Sequence, residues 1–204
     1  MTLVQDDVDH VIRSFMTYDE CEALFGNTSV DWQRDIVEYR ADNDDTDDDL
    51  ENFSNLQTLI CGDNKNFTDN GLKHVPQLRA LVCDFNKNFT DDGLKHVPQL
   101  RKLICRDNKN FTDNGLKHVP HLQELYCSDG CKFTDDGLKH VPQLQVLYCT
   151  KRCNFTDIGL RHIPQLKILF CFQNNNFTDE GLKHVPEIDF LDRLFPAKPI
   201  STYL

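Results

Sequence analysis

From Leu56 onward, apolar and polar positions recur in a fixed block of 22 residues, L-x-x-L-x-C-x-x-x-x-N-F-T-D-x-G-L-K-H-V-P-Q, repeated six times. The copies begin at Leu56, Leu78, Leu100, Leu122, Leu144 and Leu166, with a frayed seventh at Ile188. Two periods alternate inside each block. Leu103 and Cys105, at block positions 4 and 6 of the third copy, share one side of a short strand, because side chains alternate along a strand. Leu116 and Val119 fall three residues apart, which puts both on one face of a helix. Between them Phe111, at position 12, is expected to stack on Phe89 and Phe133 as an internal spine.

Local chemistry sets the helix ends. Thr112 suits an N-cap, and Asp113 suits a first helical turn. Asp113 and Lys117 have the spacing of an i,i+4 ion pair, and every copy keeps it, through Asp157/Arg161 and Asp179/Lys183. Pro120, which lacks an N–H and clashes with a preceding helical turn, limits the helix to about one and a half turns. A period of 20 to 29 residues opening with L-x-x-L predicts stacked strand-plus-helix coils. The expected fold is α/β, with a parallel sheet on the concave face and short helices on the convex face. The sheet should hold at least six strands, from near Leu56 to near Phe190.

These residues resemble the leucine-rich repeats, in particular the cysteine-containing subclass with an I-T-D-x-G-L stretch, here F-T-D-x-G-L. The resemblance covers about two thirds of the chain. Two features depart from it. The unit, at 22 residues, is shorter than is usual for that subclass. The Asn expected after the strand stands at Asn64, Asn86, Asn108 and Asn174 but is Gly130 and Arg152 in copies four and five, where the turn should bond differently.

Charge divides the chain. Residues 1–55 carry 16 acidic and 3 basic groups, a net of −13, whereas the remainder carries 17 and 19, a net of +2. The acidity peaks between Asp42 and Glu51. Shifting that stretch by 22 residues lays Thr46-Asp47 on Thr68-Asp69, Leu50 on Leu72 and Phe53 on Val75, so residues 41–55 read as a degenerate capping half-repeat. The repeats proper span 56–187, and 188–204 form a frayed repeat and tail.

Residues 1–40 are no repeat. Leu3, Val8, Val11, Ile12, Phe15 and Met16 follow helical spacing, and two further short amphipathic segments run through Leu24 and through Trp32. This small helical module resembles the F-box. Leu3, Asp7, Val8, Ile12, Phe15, Met16, Leu24, Ser29, Trp32 and Ile36 match its pattern, while Val4 replaces the opening Pro. The resemblance implies a Skp-family adaptor contacting Leu3, Val8, Ile12, Phe15, Leu24 and Trp32, and through it a cullin. In that case the solenoid is the substrate receptor of a ubiquitin ligase. The other reading of the same segment is an amphipathic cap on a plain interaction scaffold or inhibitor.

Candidate chemistry narrows the picture. Cys127-x-x-x-Cys131 and Cys149-x-x-x-Cys153 have the look of two halves of a zinc site, yet Cys127 and Cys149 hold core position 6 with Cys61, Cys83, Cys105 and Cys171. A buried Cys is a small hydrophobe, so no metal and no cofactor is expected. A disulfide between Cys131 and Cys153 of adjacent coils, beyond the turn, is geometrically conceivable, but a reducing compartment argues against it. The His column at position 19 and the Lys or Arg column at position 18 read as scaffold, each cation facing its own Asp, so nucleic acid is not an expected partner. No nucleophile–base pair or phosphate loop stands outside repeat-determined positions, and an enzyme is not expected.

No run of 18 apolar residues occurs, so no membrane partner is expected. Asp6, Asp7 and Asp9 stand where a signal peptide would be basic and then apolar. The expected site of action is cytoplasmic or nuclear, not secreted. The seven N-x-S/T sequons then read as by-products of a structural N-F-T turn.

Positions 3, 5 and 7 point outward on the concave side. Position 5 reads Ile60, Val82, Ile104, Tyr126, Tyr148, Phe170, an apolar stripe where solvent is expected. With Ile168 and Phe172 beside it, the stripe makes Ile104, Tyr126, Tyr148, Ile168, Phe170 and Phe172 the candidate contacts for a protein target. The alternatives are plain strand propensity, or cover by the tail Leu194–Leu204.

Overall fold

The computed structural model describes residues 37–192 other than 63, 129, 151, 172, 173 and 175. The six F-box-like contact positions from Leu3 to Trp32, Phe172 and the tail lie outside the described residues. Eight three-residue strands form one parallel sheet in chain order: β1 (Glu38–Arg40), β2 (Thr58–Ile60), β3 (Ala80–Val82), β4 (Lys102–Ile104), β5 (Glu124–Tyr126), β6 (Val146–Tyr148), β7 (Ile168–Phe170) and β8 (Phe190–Asp192). From β2 onward each residue pairs with its equivalent one block later, as Leu103 with Leu125. The 22-residue period is thus the sheet register itself. Returning segments carry a 3-10 turn at Gly71–His74 and then helices α1 (Asp91–Leu94), α2 (Asp113–Leu116), α3 (Asp135–Leu138), α4 (Asp157–Leu160) and α5 (Asp179–Leu182).

The sheet begins a coil earlier than Leu56. Tyr39, central in β1, pairs with Leu59, stacks on Phe53 with ring centroids 4.5 Å apart, and donates its hydroxyl to Asp45 Oδ2 at 2.6 Å. The acidic run folds into a 3-10 helix (Asp47–Asn52) opened by a capping box between Thr46 and Asp49. Leu50 and Phe53 are buried within it, as the 22-residue shift implies. This coil lays its apolar side on the first full repeat and leaves acidic groups outward.

Every coil fills the interior alike. Leu at positions 1 and 4, Cys at 6 and Phe at 12 are all buried, and Phe67, Phe89, Phe111, Phe133, Phe155 and Phe177 form the expected spine. The small thiol at position 6 does more than fill space. Beyond the backbone bond of its own N–H to the next coil, Cys105 Sγ lies 3.7 Å from Tyr126 O and Cys127 Sγ 3.6 Å from Tyr148 O.

The convex helices correct one expectation. Asp113 does not pair with Lys117; it reaches forward to the next coil, where Oδ1 accepts from Thr134 N at 2.8 Å and Oδ2 from Thr134 Oγ at 2.6 Å. The same rung recurs from Asp47–Thr68 to Asp157–Thr178. The receiving Thr then caps its own helix, as Thr112 does by accepting from Asn114 N. Position-18 cations pair instead with position 15, three residues back: Lys73 and Lys117 with Asn, Lys95 and Lys139 with Asp, Lys183 with Glu. Where position 15 is Ile158, Arg161 turns to the next coil's His184. Pro120 is not the stop either, since α2 ends at Leu116 and i,i+3 turns carry the chain onward.

The rung also explains the glycine of F-T-D-x-G-L. A Cβ on Gly115 would lie 2.5 Å from Asp91 Oδ1, which passes there on its way to Thr112. Urea unfolding of two variants checks this. Asp113→Ala, which strands the Thr134 N–H, and Gly115→Ala, which pushes a carboxylate aside, should each lose on the order of 1–3 kcal/mol. Lys139→Ala should leave stability unchanged.

Candidate functional site

The concave face is built from the outward residues of three-residue strands, so its composition is set one coil at a time. Ile104, Tyr126, Tyr148 and Phe170 occupy one column, each half-buried, with Ile168 beside them at the column's far end. Adjacent strands bring the rings together: Tyr126 and Tyr148 stack with centroids 6.1 Å apart, and Tyr148 and Phe170 tilt at 5.7 Å. An aromatic row of this kind is held by its own contacts as well as by the backbone, so it presents a rigid surface.

Charged groups bound the row on one side. Lys102 pairs with Glu124 at 2.8 Å, lies 5.3 Å over the Tyr126 ring, and leaves the Tyr126 hydroxyl to donate to Glu124 Oε2 at 3.2 Å. The hydrogen bond to Glu124 pushes the Lys102 ammonium up, and partial burial pushes the Tyr126 phenol up. Both stay protonated through the neutral range. One coil earlier, Asp84 accepts the Arg106 backbone N–H at 2.8 Å and Arg106 Nε at 2.9 Å. Asp84 is only 7% exposed, so this ion pair is a fixed part of the face.

Sequence reasoning missed that pair and the residue beside it. Phe85 is 58% exposed and held at φ 61°, a left-handed conformation costly for a bulky side chain. The signal was present in the repeat: at position 8 the other copies read Asp63, Asp107, Asp129, Lys151 and Gln173, so Phe85 is the one apolar member. Asp84 and Arg106 hold the same repeat position in neighbouring coils, two residues beyond the strand ends, where opposite charges meet.

The turns beyond the strands hold the second feature. In coils one to three the position-9 Asn is buried and ties each turn to the one before. Asn108 donates Nδ2 to Asn86 O at 3.0 Å and Phe89 O at 3.2 Å, while its Oδ1 accepts from Asn110 N and Phe111 N. Coils four and five bond differently, as expected. Their turns close one residue later, Cys131 N–H to Ser128 O at 3.2 Å and Cys153 N–H to Thr150 O at 3.0 Å, so that these thiols enter the interior. They are 5% and 3% exposed, beside the position-6 thiols. Cys127 and Cys153 lie with their sulfurs 4.0 Å apart, and Cys131 lies against Cys127 and Cys105. Coil six returns to Asn174, whose amide nitrogen is buried with no hydrogen-bond partner among the described residues. Among the described residues no three His, Cys, Asp or Glu are placed to hold a metal ion.

In copies one to three the N-F-T segment is structural. Nδ2 of Asn66, Asn88 and Asn110 donates to the preceding coil's Asn43, Lys65 and Lys87 carbonyls at 3.0, 2.5 and 2.5 Å. The nitrogen that a glycan would take is part of the coil-to-coil bonding.

No protein-family model matches the sequence, and no curated protein does. Solved structures share the fold. Internalin C2 from Listeria monocytogenes superposes with TM-score 0.60 at 18% identity, over 79% of this chain and 73% of that one. The functional domain of InlJ from the same species, described as including a cysteine ladder, gives 0.57 at 22% identity, over 81% of this chain and 36% of that one. The third is an octameric complex of Latrophilin 3, Unc5D and FLRT2, the last through its leucine-rich repeats, at TM-score 0.54 and 15% identity over 78% and 61%. The fold is a leucine-rich-repeat solenoid.

Burial pushes the Cys61, Cys83 and Cys149 thiols up from their ordinary value of 9.0. These groups keep their protons folded and lose them unfolded, so they take stability away as pH climbs past about 9. At pH 8, native alkylation with iodoacetamide should leave all six position-6 thiols unmodified, and Cys105→Ser should lose about 1–3 kcal/mol through a buried hydroxyl. Rapid labelling of all six would show that position 6 is not core.

Proposed function

We propose that this chain is a non-catalytic recognition protein whose concave face holds a protein target, centred on Tyr126, Tyr148 and Phe170. The observation that carries it is the stacked aromatic row, half-exposed on consecutive strands of an open sheet, with Ile104 and Ile168 extending it. Large apolar surface of that kind is characteristic of interfaces, and Tyr is favoured there because it adds area with few rotors to freeze. The Lys102–Glu124 and Asp84–Arg106 pairs supply a polar rim that fixes orientation. The fold supports the reading, since one similar solenoid sits in the complex with Latrophilin 3 and Unc5D. Phe172, two residues after Phe170 in sequence, belongs to the proposed contact set.

The same proposal couples the target to ubiquitin-ligase machinery in the cytoplasm or nucleus, a Skp-family adaptor docking on Leu3, Val8, Ile12, Phe15, Leu24 and Trp32 and bringing a cullin. Its support is the F-box-like spacing of those residues. Without that coupling the chain is an interaction scaffold or inhibitor acting through the concave face alone.

Affinity capture with the intact chain, followed by variants, separates the two. Truncating Tyr126, Tyr148 or Phe170 to Ala should weaken target binding by roughly 1–3 kcal/mol each with little loss of stability. Lys73→Ala on the convex side should change nothing. An aromatic triple variant that unfolds, or that binds at full affinity, would place the site elsewhere. Ile12→Asp or Trp32→Ala should abolish co-purification of a Skp-family adaptor and cullin while target binding persists; target binding with no adaptor in the wild type leaves the scaffold.

A further inference from the structure

The asparagine tie is absent from coils four and five, and what replaces it is a chain of four thiols. Cys131 Sγ donates to Cys105 O at 3.5 Å, and Cys153 Sγ lies 3.8 Å from Ser128 O and 3.9 Å from Cys127 O. These are weak donors at long range, where Asn108 makes two amide bonds. The next turn shows the break, because the Asn174 amide nitrogen is buried with no hydrogen-bond partner among the described residues. The two sulfurs placed to repair it are Cys127, on the coil-four strand end, and Cys153, folded over it from coil five, 4.0 Å apart.

We propose that Cys127 and Cys153 are an oxidation site, closed by hydrogen peroxide to a disulfide that clamps coil five onto coil four. The pair is marked by its sulfur contact between adjacent coils; Cys131, which also lies against Cys127, belongs to the same coil and would clamp nothing across the seam. Cys153 is the entry point. It is the more exposed of the two, and Arg152 beside it in sequence is exposed and cationic. The Cys127 hydrogen bond also holds the Cys153 thiol below its ordinary value, whereas Cys127 itself is pushed up, chiefly by its contact with Cys131.

The chemistry balances in two steps. The Cys153 thiolate attacks peroxide, an S–O bond forms, the O–O bond breaks, and the departing hydroxide takes up the thiol proton as water. The Cys127 sulfur then attacks the sulfenic sulfur, the S–S bond forms, the S–O bond breaks, and the second water leaves with the Cys127 proton. Two thiols give up two electrons and one peroxide becomes two waters. The bond lies behind the Tyr126–Tyr148 stack, since Cys127 follows Tyr126 directly and its sulfur faces Tyr148 O. The inference does not depend on what the concave face binds.

Folded, reduced full-length protein treated with hydrogen peroxide, blocked with N-ethylmaleimide and digested with trypsin gives the test. Cleavage puts Cys127 and Cys131 on residues 118–132, Cys149 on 140–151 and Cys153 at the start of 153–161. The expected product joins 118–132 to 153–161 with loss of two hydrogens, fragments to place the bond at Cys127, and forms equally in Cys131→Ala but not in Cys153→Ala. Closing that loop should raise Tm by about 5–10 °C, reversed by dithiothreitol. A bond through Cys131 or Cys149, conversion to sulfinic acid without a crosslink, or no reaction in the folded protein while urea-unfolded chain crosslinks would each overturn the assignment. The wild-type peptide map decides the point even where a variant fails to fold.

Discussion

No coil of this solenoid satisfies its own polar groups or buries its own phenylalanine; each does so against the next. Three residues of strand cannot make a sheet alone, and four residues of helix are too short to persist in water. What makes them persist is the repeated step from coil to coil: strand N–H to strand carbonyl, Asp carboxylate to the next Thr, Asn amide to the preceding turn, and Phe on Phe. The step is only as strong as its match in length. One residue gained or lost in a block would rotate every later side chain out of register, which is why the six copies share a spacing of 22.

That constraint sorts the residues into those that hold the step and those free to differ. Leu, Phe, Asp, Thr and the glycine beneath the carboxylate are held; positions 3, 5, 7 and 8 are free, and there the copies diverge. Ile60 gives way along one column to Tyr126 and Phe170, Asp84 meets Arg106, and Phe85 stands out into solvent on a left-handed backbone. The surface is a record of local substitutions on a frame that barely changes.

The frame was legible in the sequence because periodicity reports contacts at one fixed separation. Strand position, core Cys, the phenylalanine spine, the Thr cap and the burial of Leu50 and Phe53 all follow from spacing. What spacing could not give was the destination of a side chain with two equally near partners. Asp113 has Lys117 four residues away and Thr134 twenty-one away; the second wins, because it offers a backbone N–H and a hydroxyl in a half-buried seam, whereas Lys117 is out in water. Cys131 and Cys153 went astray for a related reason. Their turns close one residue later than the others, a shift that moves a side chain from outside to inside without changing the block length.

The forward-reaching carboxylate gives the array a polarity. Each coil offers an Asp to its successor and a Thr to its predecessor, so identical coils are interchangeable parts and an array can gain or lose one without redesign. Coils four to six escape that freedom. Their turns hold two thiols and then an amide with no hydrogen-bond partner among the described residues, so exchanging one of them for a front coil would change the contacts of its neighbours. An added or deleted coil is therefore accommodated more readily at the front of this molecule than behind the aromatic row.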